Sequence, residues 1–558
     1  MDTIAHFNGC SDHKLIYSVR YAKNINRKPR YIRKRCFKNF DAVRFKNEIH
    51  NLKWLDIYLS TNVDTAVQKL TDRITTVLDK YAPVQTVQIR SRYAPWLSNA
   101  TKQVMQQRNR AQQALLRSPD QEKSREYKNL RNRATNLIRK DKRSWESSKL
   151  NHLIYDSSSL WKNVKNILAL KSAGPPKQLF HDGKLIGSPK ELAEVMNEFF
   201  ISKVMSLQDN LPPPAEDPLK YLKRLMMNRT CSLKFKSVHP DEVKKVVSSL
   251  KNSKSCGLDE IDVATLKLII DDILPSLTHI INLSLLSSTF PKAWKVAKVV
   301  PLLKKGDHLC PKNYRPVALL PILSKVLEKI VFSQIVQYME TNSLLHPSHH
   351  GSRARHDTCT AVLEMHSTWI DAIEDGKMTG VMMLDLSAAF DLVNHDLLIK
   401  KLEFMGFQRD ILLWFQNYLS ERQQCVHIDG QTSDLLPVTV GVPQGSVLSA
   451  LLYILFVNDL PEVIHHHETS NTITGQIEYN GWCDSCGSLC AYVDDSTYSC
   501  SSEDPNVLSE MLSSQYRKLA CYFNDNRLVI NDDKTKLIIL RCSSKANQGQ
   551  TIRVSAGR

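Results

Sequence analysis

No apolar stretch in this chain approaches the roughly 20 residues that span a bilayer, and the N-terminus lacks the apolar core of a secretory signal. Membrane insertion and export are therefore not expected. The thirteen cysteines are odd in number and irregular in spacing, which argues against a disulfide framework and for reduced thiols inside a cell. No internal repeat is visible, so a repeat array is not expected. Acidic residues are the scarcer charge, 57 against 75 Lys and Arg, for a formal net charge of +18. Such an excess favours a polyanionic partner. With no membrane-seeking segment, nucleic acid is the expectation. Apolar residues make up 42% of 558, enough for a sizeable core and for roughly two to four domains.

The positive charge is concentrated. Arg20 to Lys38 holds nine basic residues and no acid, with Tyr21, Tyr31 and Phe37 interleaved. Cations with aromatics suit phosphate neutralisation and base stacking, although a solvated linker would carry the same charge. From Lys102 to Lys149 the chain has no Gly, and Leu130, Ala134, Leu137 and Ile138 recur at helical spacing, predicting one or two long basic helices. Trp161 to Leu168 predicts a short helix. Pro189 to Val204 predicts another, with Pro in its first turn. Gly174-Pro175-Pro176 and Leu211 to Pro214 read as linkers. From about residue 236 apolar helices alternate with short strands: Val296 to Leu303, Val381 to Leu386, Gln424 to Ile428, Leu489 to Val493 and Lys536 to Leu540. The expectation is an α+β domain around a small sheet, closed by a loose tail over 541–558.

Two of those strands end in acids. Val381 to Leu384 runs into Asp385; Leu489 to Val493 runs into Asp494 and Asp495. An Asp-Asp pair alone is common in surface turns, but both sets here follow apolar strands. Neighbouring strand residues point to opposite faces, so a tight turn is needed before Asp494 and Asp495 can converge. Carboxylates are the donors that a hard Mg²⁺ prefers. In-line phosphoryl transfer uses two such ions about 3.5–4 Å apart. Between the strands, Gly441, Pro443 and Gly445 form a tight loop ahead of the apolar helix Val447 to Phe456.

DLSAAFD from Asp385, GVPQGSVLSALLYILFVNDLP from Gly441, AYVDD from Ala491 and LVINDDKTKLIIL from Leu528 resemble, in order and spacing, the core motifs of reverse transcriptases. They look most like those of non-LTR (LINE-type) retrotransposons of the jockey and chicken-repeat groups. KSCGLDEI from Lys254 and NYRPVALLPILSKVLEKIV from Asn313 extend the likeness over about residues 236–540. The resemblance implies right-hand fingers and palm with a small antiparallel sheet, preceded by basic helices, the thumb largely missing. It implies an RNA-directed DNA polymerase that takes an RNA template, a DNA primer, deoxynucleoside triphosphates and two Mg²⁺. Asp385, Asp494 and Asp495 match the metal-binding aspartates, with the Leu386 carbonyl assisting. Phe390 matches the sugar gate, Gln444 and Gly445 the loop beside base and template, and Arg315 the fingers arginine on the triphosphate. Lys534 matches a lysine that protonates departing pyrophosphate, though alone it reads equally as a surface lysine. Lys304 and Lys305 can add to the triphosphate contact, though flanking lysines on a loop read more readily as solvated. Asp12 and His13, in GCSDH, resemble the closing motif of the apurinic-type endonuclease preceding such polymerases. Residues 1–18 are therefore expected to be a remnant without nuclease activity. The remaining expected divisions are a basic linker and helices over 19–100, a basic helical region over 101–210 and the polymerase over 236–540.

Some features depart from the family. His350-Gly-Ser-Arg stands where Gly-Phe-Arg is usual, and an insertion from about His465 to Ser488 lengthens the approach to the second acid strand. That insertion holds Cys483 and Cys486, with Cys490 and His465 to His467 nearby. These are zinc-binding types without a four-ligand spacing, so incidental thiols are expected. A catalytically weak relic that only binds RNA is the alternative reading. A group II intron maturase is a more distant one, against which the endonuclease-like start speaks. The basic run suits either a nuclear protein or a cytoplasmic ribonucleoprotein.

Overall fold

The computed structural model describes residues 2–6, 15–19, 30–89, 94, 96–118, 120–151, 174–227, 229–353, 355–464, 487–542 and 554. Asp12, His13, the predicted 161–168 helix, His465 to His467, Cys483 and Cys486 lie outside them. The ten described cysteines are all free.

The chain divides into two compact units, one of residues 1–34 and 85–172, the other of 35–84 and 173–558. In the first, Asp2–His6 and Leu15–Val19 pair antiparallel. Helices Asn99–Arg117 and Gln121–Asn151 form a hairpin across a three-residue connection. Ser98 caps the first helix by accepting from the Thr101 amide at 3.2 Å. Asp141, on the second helix, accepts from Thr101 Oγ1 at 2.6 Å and from the Ser98 amide at 2.9 Å. An anion held at a helix N-terminus is favourable there, and these bonds pull the Asp141 carboxyl below its ordinary value.

The second unit is built around two sheets. The larger is mixed. Its strands are β1 (Val296–Leu303), β2 (Tyr314–Leu319), β4 (Arg422–Ile428), β5 (Gln431–Thr432) and β6 (Leu436–Val438), ordered β5-β4-β1-β2 with β6 also on β4. β1 and β4 run parallel, with Val296 beside Gln423 and Val299 beside Val426. The smaller sheet is fully antiparallel, ordered β7-β8-β3-β9 from β3 (Met378–Leu384), β7 (Ser488–Tyr492), β8 (Asp495–Ser502) and β9 (Lys536–Leu540). Helix Pro505–Asp525 lies against it, and Leu512 packs so closely on Gly380 that a Cβ there would come within 2.6 Å. Glycine is what lets helix and sheet meet.

One helix is added and two expectations change. Helix Val263–Leu286 is long and apolar enough by composition to cross a bilayer although Lys267, Asp271 and Asp272 interrupt its apolar run, a segment the sequence reading passes over. Here it is a core helix, burying Leu266, Ile269, Ile273, Leu277 and Ile280. Helices Ala42–His50 and Val63–Tyr81 belong to this same unit rather than to a segment preceding it. Val67, Leu70, Ile74 and Leu78 form a fully buried stripe at helical spacing. Likewise Pro189–Asp209, expected within a basic region ending at 210, sets Leu192, Met196 and Phe200 into the core cluster formed with the mixed sheet. The domain boundary near 236 therefore does not hold, because these helices bury their apolar faces in the second unit.

Candidate active site

β3 ends at Leu384, which pairs with Ser496 of β8. Asp385 thus emerges beside Asp495, one step beyond the last pair. β7 and β8 are joined by Val493 and Asp494 alone, with Tyr492 opposite Asp495. That is a two-residue hairpin of the kind that needs positive φ, and Val493 adopts φ 60° although it is β-branched. The turn lets Asp494 and Asp495 approach the end of β3 together.

The acids act on one another. Burial raises the Asp494 carboxyl above its ordinary value, and the negative charges of Asp495 and Asp385 push it the same way, while Arg315 pulls it down. Tyr453, fully buried beneath them, is raised by burial and then by Asp494 and Asp495. Lys534 Nζ donates to Asp385 Oδ2 at 2.7 Å. Among the described residues no three Asp, Glu, His or Cys side chains stand close enough together to hold a metal ion as they are. The donor chemistry nevertheless fits a hard divalent cation: the oxygens are carboxylates whose mutual repulsion a cation would relieve, and an ammonium already sits on one of them.

The segment 529–535 supports Asp385. The Asn531 amide donates to the Asp385 carbonyl at 2.8 Å and the Ser387 amide to the Val529 carbonyl at 2.8 Å. These bonds flank Leu386, which faces Ile530, so the Leu386 carbonyl turns away from that segment. Beyond it Ala388 takes φ 53° and leads into a tight turn over Ala389–Leu392. Phe390 there packs on Tyr453 with ring centroids 5.2 Å apart. Its carbonyl accepts from the Val442 amide at 2.8 Å, docking the glycine loop on this turn. A Cβ on Gly441 would meet the Asp391 backbone at 2.5 Å, and one on Gly445 the Ala318 carbonyl at 2.4 Å. Gln444 Nε2 donates to Asp391 Oδ2 at 2.7 Å, and the Gln444 carbonyl accepts from the Ala318 amide at 3.0 Å. Burial pushes the Asp391 carboxyl up to about 6, against the pull of Gln444.

Arg315 is exposed on β2 opposite Leu302. Lys304 lies just past β1. Burial lowers its ammonium first, then the positive charges of Arg315 and Lys534, while Asp385 raises it. A basic rim thus adjoins the acids, with Lys304 exposed on the loop that follows β1.

Sequence reasoning misses the supports: Asn531, Thr535, whose Oγ1 accepts from the Asp385 amide at 3.4 Å, Tyr453 and the Asp391–Gln444 pair. The unusual His350-Gly351 stretch has a structural place. The His350 amide donates to the Ala491 carbonyl and the Ala491 amide to the Ser348 carbonyl, both at 2.9 Å. Gly351 stands so close to Val493 that a Cβ would come within 2.7 Å of its Cγ2. Arg353 is taken by Glu340 at 3.1 Å.

Strand-end acids on an antiparallel sheet, with a basic rim and a glycine loop beside them, are an arrangement suited to metal-assisted phosphoryl transfer. Residues 302–552 match the family described as reverse transcriptase (RNA-dependent DNA polymerase). The chain is 26% identical over 460 residues to the probable RNA-directed DNA polymerase from transposon BS of Drosophila melanogaster, covering 81% of this chain and 50% of that protein. It is 26% identical over 463 residues to the RNA-directed DNA polymerase from mobile element jockey of the same species, covering 81% and 49%. A crystal structure of the RNA-dependent RNA polymerase of a human picorbirnavirus overlaps 71% of this chain and 66% of that one, at 12% identity and a TM-score of 0.37, too low to bear on the fold. The chain is similar to these RNA-directed DNA polymerases of mobile elements, and it spans about half the length of the curated relatives it matches.

Proposed function

We propose that this chain is an RNA-directed DNA polymerase that extends a primer 3′-hydroxyl with deoxynucleotides on an RNA template. The observation that carries the reading is the placement of Asp385 beside Asp494 and Asp495 at adjoining strand ends, with Arg315, Lys304 and Lys534 in electrostatic reach. Asp385, Asp494 and Asp495 would hold two Mg²⁺, with the Leu386 carbonyl available. The bound ions would make the 3′-hydroxyl a better nucleophile and offset charge on the triphosphate.

The chain's own residues do the rest. Arg315 offers a planar fork of donors for phosphate oxygens, with Lys304 as a second cation. Phe390, braced by Tyr453, presents a ring that would clash with a 2′-hydroxyl. Gln444, fixed at its side chain by Asp391 and at its carbonyl by Ala318, gives the loop a set position beside base and template. Lys534 is placed to give a proton to departing pyrophosphate once its bond to Asp385 opens. Such a protein would work inside the cell, in the nucleus or in a cytoplasmic ribonucleoprotein.

Primer extension on poly(rA)/oligo(dT) with dTTP and Mg²⁺ tests this, comparing wild type with Asp494→Ala. Incorporation that the substitution lowers by on the order of 10²-fold or more supports the proposal. RNA binding without incorporation in either protein favours the alternative, a relic that only binds RNA.

A further inference from the structure

On one face of the mixed sheet lies a cavity of about 90 Å³, roofed by the Pro189–Asp209 helix and closed at one side by residues 437–444. Its walls are mainly apolar, with Phe200 and Val204 from the helix, Val299 from β1 and Pro443 from the loop. Lys295 and Arg422 also line it. Both are deeply buried, at 2% and 4% exposure. In the parallel pairing Val296 stands beside Gln423, so Lys295, just before β1, and Arg422, the first residue of β4, are neighbours.

Two like charges side by side repel. Lys295 Nζ has no hydrogen-bond partner, nor have Arg422 Nε and Nη2; the buried Glu328 is in electrostatic reach of Arg422, but its oxygens accept from Ser324 Oγ and the Val447 amide. The Arg422 guanidinium lies 4.5 Å from the Tyr418 ring centroid, which serves its face but leaves those edge N–H groups unmet. Glu421, Asp64, Arg422 and Lys292 are the charged groups in reach of Lys295, and none bonds to it. Asp391 is the one acid in the lining, and Gln444 already holds it. A buried charge without a partner is costly enough that such sites normally hold a counter-charge.

We infer that this cavity binds a small organic anion, a carboxylate or phosphate head between Lys295 and Arg422 on an apolar body in the cavity. At roughly 10–15 Å³ per water-sized group, the space takes about six to nine heavy atoms, the size of a ring or short chain with its head group. The binding site stands on the cavity alone and does not depend on the polymerase reading, since a protein that incorporates nothing can still bind the anion.

Benzoate is a suitable probe, with benzamide as its neutral isostere, acetate as a head without a body, and phenyl phosphate to compare heads. Titration calorimetry on the full chain is expected to show saturable benzoate binding, at least tenfold weaker binding of benzamide and acetate, and at least tenfold weaker benzoate binding to Lys295→Met. Phenyl phosphate binding as tightly as benzoate would assign the head to either anion. Arg422→Gln is expected to weaken benzoate similarly; should it fail to fold, Lys295→Met decides, because removing one of two like charges should leave the unliganded protein at least as stable. Benzoate should raise the melting temperature of wild type and not that of Lys295→Met. No saturable benzoate binding, equal binding of benzamide, or unchanged binding to Lys295→Met would overturn the inference.

Discussion

The two larger sheets of the second unit handle charge in opposite ways. The antiparallel sheet carries its acids at strand ends, where Asp385 and its partner Lys534 keep about two-fifths of their side-chain surface exposed, 37% and 43%. The mixed sheet keeps Lys295, just before β1, and Arg422, at the start of β4, under a helix, almost wholly buried. A strand-end charge can exchange its counter-ion with solvent, as chemistry on a mobile substrate requires. A charge buried beneath a helix cannot, so its partner has to be built in or bound.

The largest test of that contrast is Asp494→Asn. Polymerisation is expected to fall by on the order of 10²–10³-fold in a primer-extension assay, since a carboxylate facing the reaction is lost. Stability without metal should not fall, because the carboxyl removed is one that burial and two neighbouring acids disfavour in its charged form. A large drop in melting temperature would mean that the acids brace the fold. Gly445→Ala tests the joint where the loop meets β2. At φ 123° and with the Ala318 carbonyl 2.4 Å from the new Cβ, it should cost about 2–3 kcal/mol in urea unfolding and lower incorporation with it.

One side of this contrast is legible in the amino-acid sequence and the other is not. The apolar strands Val296–Leu303 and Lys536–Leu540 fall where the run of Val, Ile and Leu predicts them. The predicted Val381 strand starts three residues earlier and stops at Leu384, leaving Asp385 just past its end. β8 follows from the tight turn expected after β7 rather than from its own pattern, because DSTYSCSS has no apolar alternation. Its interior is filled instead by Tyr498 and Cys500 together with the small hydroxyls of Ser496 and Ser499. β2 is hidden by Pro316, which suits the sheet edge that β2 occupies. The three acids can be read because chemistry demands their type at strand ends. Lys295 and Arg422 cannot: each looks like a surface cation until the pairing of β1 with β4 places both under one helix.

A smaller effect separates the two sides of the glycine loop by pH. The Asp391 carboxyl is raised by burial to about 6 in the folded protein. The folded state therefore holds a proton that the unfolded chain releases near pH 4. The contribution is fully present below roughly pH 4 and is lost as pH rises through about 6. Asp391→Asn should remove this loss, so the mutant gains on wild type in urea midpoint between pH 4.5 and 7. A difference that stays constant across that range would place Asp391 in a more solvated setting than its packing indicates.

The smallest effect concerns the hairpin itself. Val493 holds φ 60°, which costs a β-branched residue roughly 1–2 kcal/mol. Glycine would relieve this cost but would lose about 0.5–1 kcal/mol through the freedom it gains in the unfolded chain, together with the contact to Gly351. Val493→Gly is therefore expected to change stability by less than about 1 kcal/mol in thermal or urea unfolding. Incorporation should fall more than that small change implies, because the stiff turn is what aims Asp494 toward Asp385. If activity were untouched, the strain would be incidental to the acids' placement, and the strand ends alone would suffice to bring them together.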